Sequence, residues 1–446
     1  MDFPKNNLRN ERPSGFRWTV FGLACTTSWF LYLHRYIFGL IKPMLAEEYG
    51  LGKTELGMLD SAFSMFYSGV QIPLGIAVDF FGAHFFLTAM IIVWSIGLGL
   101  HAWAPSVKEL WFARATLGIG QSAVFAALSR VSRTWFPLEV RTTLQGWVGV
   151  FFGRIGGLSA NLLVGSLMLG VLGLPWRTAV WIAAGFGIAH ALVFGLLFRN
   201  SPRRHWGVNE SEAELIEGPD SRDEKKPKPK SLSFRDMFRK MDGPSIVNML
   251  MLNAQTILST LADNIFSAWI PLFLVEVHGL KFTEMGIFAS LPLLGGAIGG
   301  IVGGWLNDKM IVRMGNRRWA RSIIGFTGKG LAGGMLLFAL LFYDQPRVFC
   351  GLLFFVKFFS DWSLTTTWGV VTDIGGKATA SVFAFNNSVA GIGAIVGPII
   401  YGRIADDSGW VPVFLTAAAA YLLCAGTWIG INCMRPLFDD EEKAAA

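Results

Sequence analysis

The chain has 446 residues, of which 52% are hydrophobic, 14% aromatic and only 15% charged. Soluble chains carry roughly 25% charged residues, and repeated apolar stretches of about 20 residues identify bilayer spans, so a soluble globular domain is excluded. Disordered, collagen-like, disulfide-scaffold and nucleic-acid-binding classes fall with it, which leaves the net charge of +7 to serve membrane topology. Cys25, Cys350, Cys424 and Cys433 are scattered and form no CxxC, so neither a disulfide framework nor a metal knuckle is suggested, and no cofactor is implied. The segment from Met1 to Trp18 is charged and has no short apolar core followed by a cleavage site, so it is not a signal peptide.

Apolar runs punctuated by charge or Pro/Gly lie at about 18–41, 56–78, 85–104, 109–130, 143–166 and 178–198. They resume at about 246–275, 283–306, 321–342, 347–371, 379–402 and 411–434, giving spans 1 to 12 in two sets of six. The expected organisation is a short N-terminus (1–17), a six-helix bundle (18–198), a linker (199–245), a second bundle (246–434) and a tail (435–446). The linker contains Asp223-Glu-Lys-Lys-Pro-Lys-Pro-Lys230, too polar to enter lipid. With both termini on one face, that face carries 26 basic residues and the other carries 7, Lys42 among them. The positive-inside rule therefore predicts cytoplasmic termini and a multi-pass protein of the plasma membrane, which is the inner membrane in a Gram-negative cell.

The second set of spans repeats the first at a spacing of 229 residues. Thr54 and Thr283, Glu55 and Glu284, Gly57 and Gly286, Ser61 and Ser290, Gly75 and Gly304, and Asp79 and Asp308 all match. Two halves of equal parity imply parallel repeats about an axis along the membrane normal, the plan of twelve-span secondary transporters with a substrate site between the halves. The expected fold is all-α, with twelve transmembrane helices in two pseudo-symmetric bundles. Each Gly-x-x-x-Asp, Gly75 to Asp79 and Gly304 to Asp308, is read as a gating motif. The glycine would permit close helix approach and the carboxylate would cap a neighbouring helix on the terminus face.

These motifs resemble the major facilitator superfamily, with Gly75-Ile-Ala-Val-Asp79 in the first copy and Gly304-Trp-Leu-Asn-Asp308-Lys309 in the second. More of the chain resembles the anion:cation symporter family of sugar-acid, sialin-like and vesicular glutamate carriers. The resemblance runs through Trp135-Phe-Pro, Pro175-Trp-Arg177, Arg199-Asn-Ser-Pro202, Trp269-Ile-Pro271, Trp368 to Asp373, Phe385-Asn-Asn387, Gly397-Pro398 and Asp407-Ser-Gly-Trp410. Organophosphate:phosphate antiporters resemble Tyr32-Leu-His-Arg35 about as well, but Asp263 stands where their second arginine would be.

Within the spans, away from their ends, lie Arg35, Arg114, Arg154, Lys329 and Lys357 against Asp263 and Asp361. A charge at mid-membrane costs at least about 2.5–3.5 kcal/mol, so this cationic surplus calls for an anion. The planar fork of Arg suits a carboxylate or phosphate. Arg35 is therefore expected to bind substrate, and the resemblance gives Arg114 a role with the substrate carboxylate. Lys357 and Asp361, four apart, are expected to pair; Arg154 is read as structural or functional, and Lys329 as structural. The resemblance further implies cavity positions for Tyr32, Tyr67, Thr365, Thr367, Trp368 and Asn387. His34 and Asp263, equivalent at the 229 spacing, are candidates for proton coupling. The family typically places acids at the positions that read His34 and Gln121 here, so proton symport, uniport, exchange and potential-driven transport all stand as alternatives.

The sequence thus points to a monomeric secondary transporter of a small organic anion, a carboxylate such as a sugar acid. An organophosphate exchanger and a non-transporting anion sensor are the alternatives. No Gly-x-Ser-x-Gly, His-Glu-x-x-His or P-loop pattern occurs, so no enzymatic chemistry is expected.

Overall fold

A computed structural model describes residues 12–217, 241–375 and 379–437, apart from the side chains of Asp79, Leu138, Glu139, Thr142, Ala380 and Ser381. The expected terminal segments and linker therefore lie partly outside the described residues. The fold is all-helical: spans 3 and 5 to 12 are long and apolar enough to cross a bilayer, and span 2 joins them as a bent pair. Span 1 (Phe16–Tyr49) carries Arg35 and Lys42 and falls short of that hydropathy, while span 4, which carries Arg114, is divided into two helices (Val107–Gln121 and Val124–Trp135) that are each too short to cross alone.

Proline shapes the interruptions. Pro73 cannot donate back to Gly69, and span 2 bends by 45° between Lys53–Gly69 and Gln71–Val78. Pro271 likewise cannot bond Ser267, and span 7 breaks at Trp269 between Gly243–Ala268 and Ile270–Glu276. Pro43 does not end span 1, which runs on to Tyr49 and takes Lys42 inside the membrane, not into the loop where the basic-residue count placed it. Span 5 alternates helix types: π-helical turns at Trp147–Phe151 and Ala160–Val171 flank the α-helical Phe152–Ser159 that carries Arg154.

The first part of the expected linker is bound to the N-terminal bundle. Trp135 Nε1 donates to the Arg199 carbonyl at 2.9 Å, and Asn200 Oδ1 accepts the His84 amide at 2.9 Å. Gly82 turns the chain between spans 2 and 3 at φ +76°, and a Cβ there would stand 2.5 Å from Asn200 Nδ2. In the short helix Glu210–Glu217, buried Glu212 accepts the amides of Phe16 and Arg17, both at 3.0 Å. A carboxylate on those orphan amides opposes the positive end of span 1.

The two halves meet in a tight seam at the face opposite the termini. Gly57 and Gly286, equivalent at the 229 spacing, each allow a backbone crossing: a Cβ would lie 2.3 Å from the Pro398 oxygen and 2.3 Å from the Asn161 oxygen respectively. Asp406 of span 11 caps span 2, accepting from the amides of Lys53 at 3.1 Å and Thr54 at 2.8 Å. Ser61 donates to the Ile395 carbonyl at 2.5 Å, and Ser166 to that of Thr283 at 2.8 Å.

The gating motif differs from its expected geometry. Gly75 has open space where a Cβ would be, and Gly304 has only ordinary contact with Thr365 at 3.9 Å. Close approach falls one residue away, on the Gly295, Gly299 and Gly303 stripe, whose Cβ positions lie 2.1–2.5 Å from span 10 backbone. Asp308 is exposed and among the described residues takes a hydrogen bond only from Asn307, at 3.4 Å, so the carboxylate seen capping across the halves is Asp406. The Asp79 side chain lies outside the described residues; beside it, Arg130 donates to the Val78 carbonyl at 2.8 Å.

Candidate functional site

Tyr32 and Arg35, three residues apart, share the inner face of span 1. The Arg35 guanidinium lies 5.1, 5.0 and 4.9 Å from the ring centroids of Tyr32, Phe63 and Tyr67. Its Nε donates to Gln121 Oε1 at 3.1 Å, and Gln121 Nε2 donates in turn to the Leu31 carbonyl at 2.9 Å. One terminal nitrogen of Arg35 is buried with no acceptor, and no carboxylate pairs with Arg35 among the described residues. Each ring stabilises the cation by about 0.5–2 kcal/mol, whereas a buried unsatisfied donor costs about 1–3 kcal/mol and more when charged. An acceptor brought beside Arg35 would satisfy that donor.

Arg114 is arranged differently. It is buried, with Nε on the Leu59 carbonyl at 3.0 Å and a terminal nitrogen on Asp60 at 2.9 Å. Lys42 shares that aspartate at 2.5 Å, crosses to the other half to donate to the Ala268 carbonyl at 2.7 Å, and sits 3.8 Å from the Trp269 ring centroid. The span 7 break frees that carbonyl. Arg114 and Arg35 both approach Phe63, at 4.9 and 5.0 Å, and the second terminal nitrogen of Arg114 also lacks an acceptor. Lys42, Asp60 and Phe63 were missed as site residues; Asp60 within the apolar run of span 2 was the available signal.

The C-terminal half holds a second charge cluster. Arg154 makes two bonds to Asp361, at 2.8 and 3.1 Å, and thereby ties span 5 to span 10 across the halves. Lys357 pairs with Asp361 as the i, i+4 spacing predicts, at 2.8 Å, and also with Asp263 at 2.8 Å. Tyr421 donates to Asp263 at 2.5 Å, while Lys329 bonds Ser259 and Ser360, both at 2.8 Å. Arg154 and Lys357, which an organophosphate would need as further contacts, are thus committed to carboxylates.

His34 and Asp263 are not brought together. His34 is buried against span 6, with Nε2 3.1 Å from the Ala183 oxygen and its ring 2.4 Å from where a Cβ on Gly187 would sit. One residue turns a helix by about 100°, so the neighbour of a cavity-facing Arg35 points into the bundle. Among the polar set, Trp368 closes over span 5, 3.2 Å from the Cβ position of Gly149, and stacks edge-on with Phe383. Half-buried Asn387 makes no hydrogen bond among the described residues, whereas its neighbour Asn386 bonds Asn253 and Thr256. Thr365 is turned to span 8, and Thr367 is buried with its hydroxyl on the Ser363 carbonyl at 2.8 Å, so neither hydroxyl is presented with Arg35.

The Major Facilitator Superfamily model matches residues 24–342. The chain belongs to this superfamily. It is a multi-pass membrane transporter and not an enzyme. It is similar to a probable sulfoacetate transporter of Cupriavidus necator, 27% identical over 96% of each chain. It is also similar to the D-galactonate transporter of Escherichia coli, 25% identical over 96% of this chain and 98% of that one. Among solved structures, a bacterial homolog of the lysosomal transporter Spinster, inward-facing and unoccupied, superposes with a TM-score of 0.68 at 18% identity, covering 94% of this chain and 95% of the other. That likeness establishes the fold.

Proposed function

We propose that the chain is a secondary transporter of small organic anions of the sugar-acid or sulfonated-acid type, working by alternating access in the plasma membrane with both termini cytoplasmic. One observation carries this reading: a mid-membrane guanidinium whose buried donor has no protein acceptor. The named substrates of the relatives, sulfoacetate and D-galactonate, are anions of this kind. In this scheme Arg35 holds the carboxylate or sulfonate, and Arg114, stacked beyond Phe63, adds positive potential. Tyr32, Tyr67, Gln121, Trp368 and Asn387 supply rings, hydroxyls and amides to the rest of the molecule. The seam from Gly57 and Asp406 to Gly286 closes the outer face, and those contacts must part when the site opens outward.

The test is a thermal-shift screen of purified protein against sulfoacetate, D-galactonate and uncharged sugars, repeated with Arg35→Ala. Ligand at 100 times its Kd stabilises the native state by about 2.7 kcal/mol, so acids raise the melting temperature of the wild type and not of the variant. Stabilisation by neutral sugars and not by acids defeats the proposal. Uptake into proteoliposomes then separates a transporter from a protein that only binds.

A further inference from the structure

We infer that this carrier is an obligate anion exchanger, its empty form unable to reorient because Arg35 has no internal counter-charge. The inference rests on the anion-transport reading above and adds the mode of transport. Around Arg35, span 1 presents Tyr32, span 2 presents Phe63 and Tyr67, and span 4 presents Gln121, all neutral. The amide of Gln121 is fixed by two bonds, with its oxygen on Arg35 and its nitrogen on Leu31, and guanidinium accepts nothing, so Gln121 has one useful orientation.

The carboxylates in reach of neighbouring elements are already taken. Asp60 serves Arg114 and Lys42 at 2.9 and 2.5 Å. Asp361 serves Arg154 and Lys357. Asp263 serves Lys357 and Tyr421. His34 is turned away into span 6. Among the described residues, no acid at the depth of Arg35 is left to move onto it when substrate leaves, or to release a proton when substrate arrives.

Passing from one face to the other requires an intermediate in which water is withdrawn from the site. With an anion bound, the guanidinium crosses neutralised. Empty, it has only Gln121 and three ring faces against it and no counter-charge, and the insertion penalty of an arginine corresponds to a slowing of about 100-fold. Loaded crossings in both directions stay fast, so the net result is one anion out for each anion in. A carboxylate at position 121 would pair with Arg35 in the empty carrier and let it return, and a proton would then have to occupy or vacate that carboxylate as substrate binds.

The full chain in proteoliposomes tests this, with labelled sulfoacetate and labelled D-galactonate as probes. Uptake is measured into vesicles preloaded with the same unlabelled acid and into vesicles without it, each with and without an inward proton gradient. The expected result is uptake into preloaded vesicles about 100-fold faster than into empty ones, with no acceleration by the gradient. Gln121→Glu is expected to raise uptake into empty vesicles and make it follow the proton gradient. Gradient-driven accumulation by the wild type in empty vesicles overturns the inference while leaving anion transport standing. If neither acid enters either kind of vesicle, the transport reading itself fails and takes this inference with it. Because Gln121→Glu adds a buried carboxylate that can impair folding, the wild-type flux ratio decides without it.

Discussion

Substituting Gly57 by alanine adds one methyl group where the two halves are in close backbone contact. That methyl would stand 2.3 Å from the Pro398 oxygen and 3.2 Å from the Ile399 Cα, inside the 3.4 Å at which ordinary contact begins. Both opposing atoms are backbone, so no side chain can rotate away, and spans 2 and 11 must separate by about 1 Å. Overpacking of this kind costs about 1–3 kcal/mol. In the alternating-access scheme the cost falls on the outer-closed state alone, because opening the outer face removes the contact. The population ratio should therefore move toward the outer-open state by about 5- to 150-fold. Spin labels at Glu55 and Arg403, exposed on opposite sides of this seam, report it as a longer-distance population in double electron–electron resonance. Gly286→Ala, at the equivalent position against the Asn161 oxygen, should do the same. If Gly57→Ala melts cooperatively yet leaves the distance distribution unchanged, the seam is not what holds the outer face shut.

Four other substitutions probe the charges. Asp361→Asn strands Arg154, whose two bonds both go to this carboxylate, and leaves Lys357 with Asp263 alone, whereas Arg154→Gln leaves Asp361 still paired with Lys357. Breaking a buried pair costs about 3–5 kcal/mol, so Asp361→Asn should lower the melting temperature in detergent clearly more than Arg154→Gln; equal losses would contradict the shared carboxylate. Arg35→Lys should retain weakened acid binding in the thermal-shift assay, since an ammonium keeps the charge but loses the planar fork; full wild-type affinity would argue against a forked contact. His34→Gln should leave the pH profile of exchange unaltered because its ring lies between spans 1 and 6, and a displaced profile would restore His34 as a proton carrier.

Span count, the two-half repeat and the exceptional status of Arg35 were legible in sequence because each follows from composition or spacing alone. The 229-residue repeat carried more than its reading allowed. Its gating motif drew attention to Gly75 and Gly304, yet Thr54, Gly57, Ser61, Thr283 and Gly286 of the same repeat build the outer seam. Spacing shows that two positions are equivalent, but it cannot show which of them meets the other half. Lys42 was lost for a related reason. The pair Lys42-Pro43 looks like a span terminus, but proline in a long membrane helix bends it without ending it, and the helix carries the lysine inward. The hydroxyls of Thr365 and Thr367 were placed by resemblance, and resemblance carries residue type more faithfully than rotation about a helix axis.

Lys42 and Asp60 carry opposite charges, so they leave the cationic surplus within the spans unchanged. Lys42 and Arg114 share Asp60, an excess of one cation at the edge of the seam. Lys329, Lys357 and Arg154 surround Asp263 and Asp361, an excess of one more in the C-terminal half. Arg35 is the third, and among these groups it alone has only neutral neighbours. The two clusters are cross-linked to carboxylates, hydroxyls and carbonyls, and each includes a link that crosses between the halves: Lys42 to Ala268, and Arg154 through two bonds to Asp361. In the proposed alternating-access scheme, rocking of the halves strains both links, so their surplus positive charge is positioned to respond to what sits beside Arg35. In the proposed scheme an anion there lowers the potential at Arg114, which faces the same Phe63 ring as Arg35 and bonds Asp60 of span 2, the helix that meets span 11 at the seam.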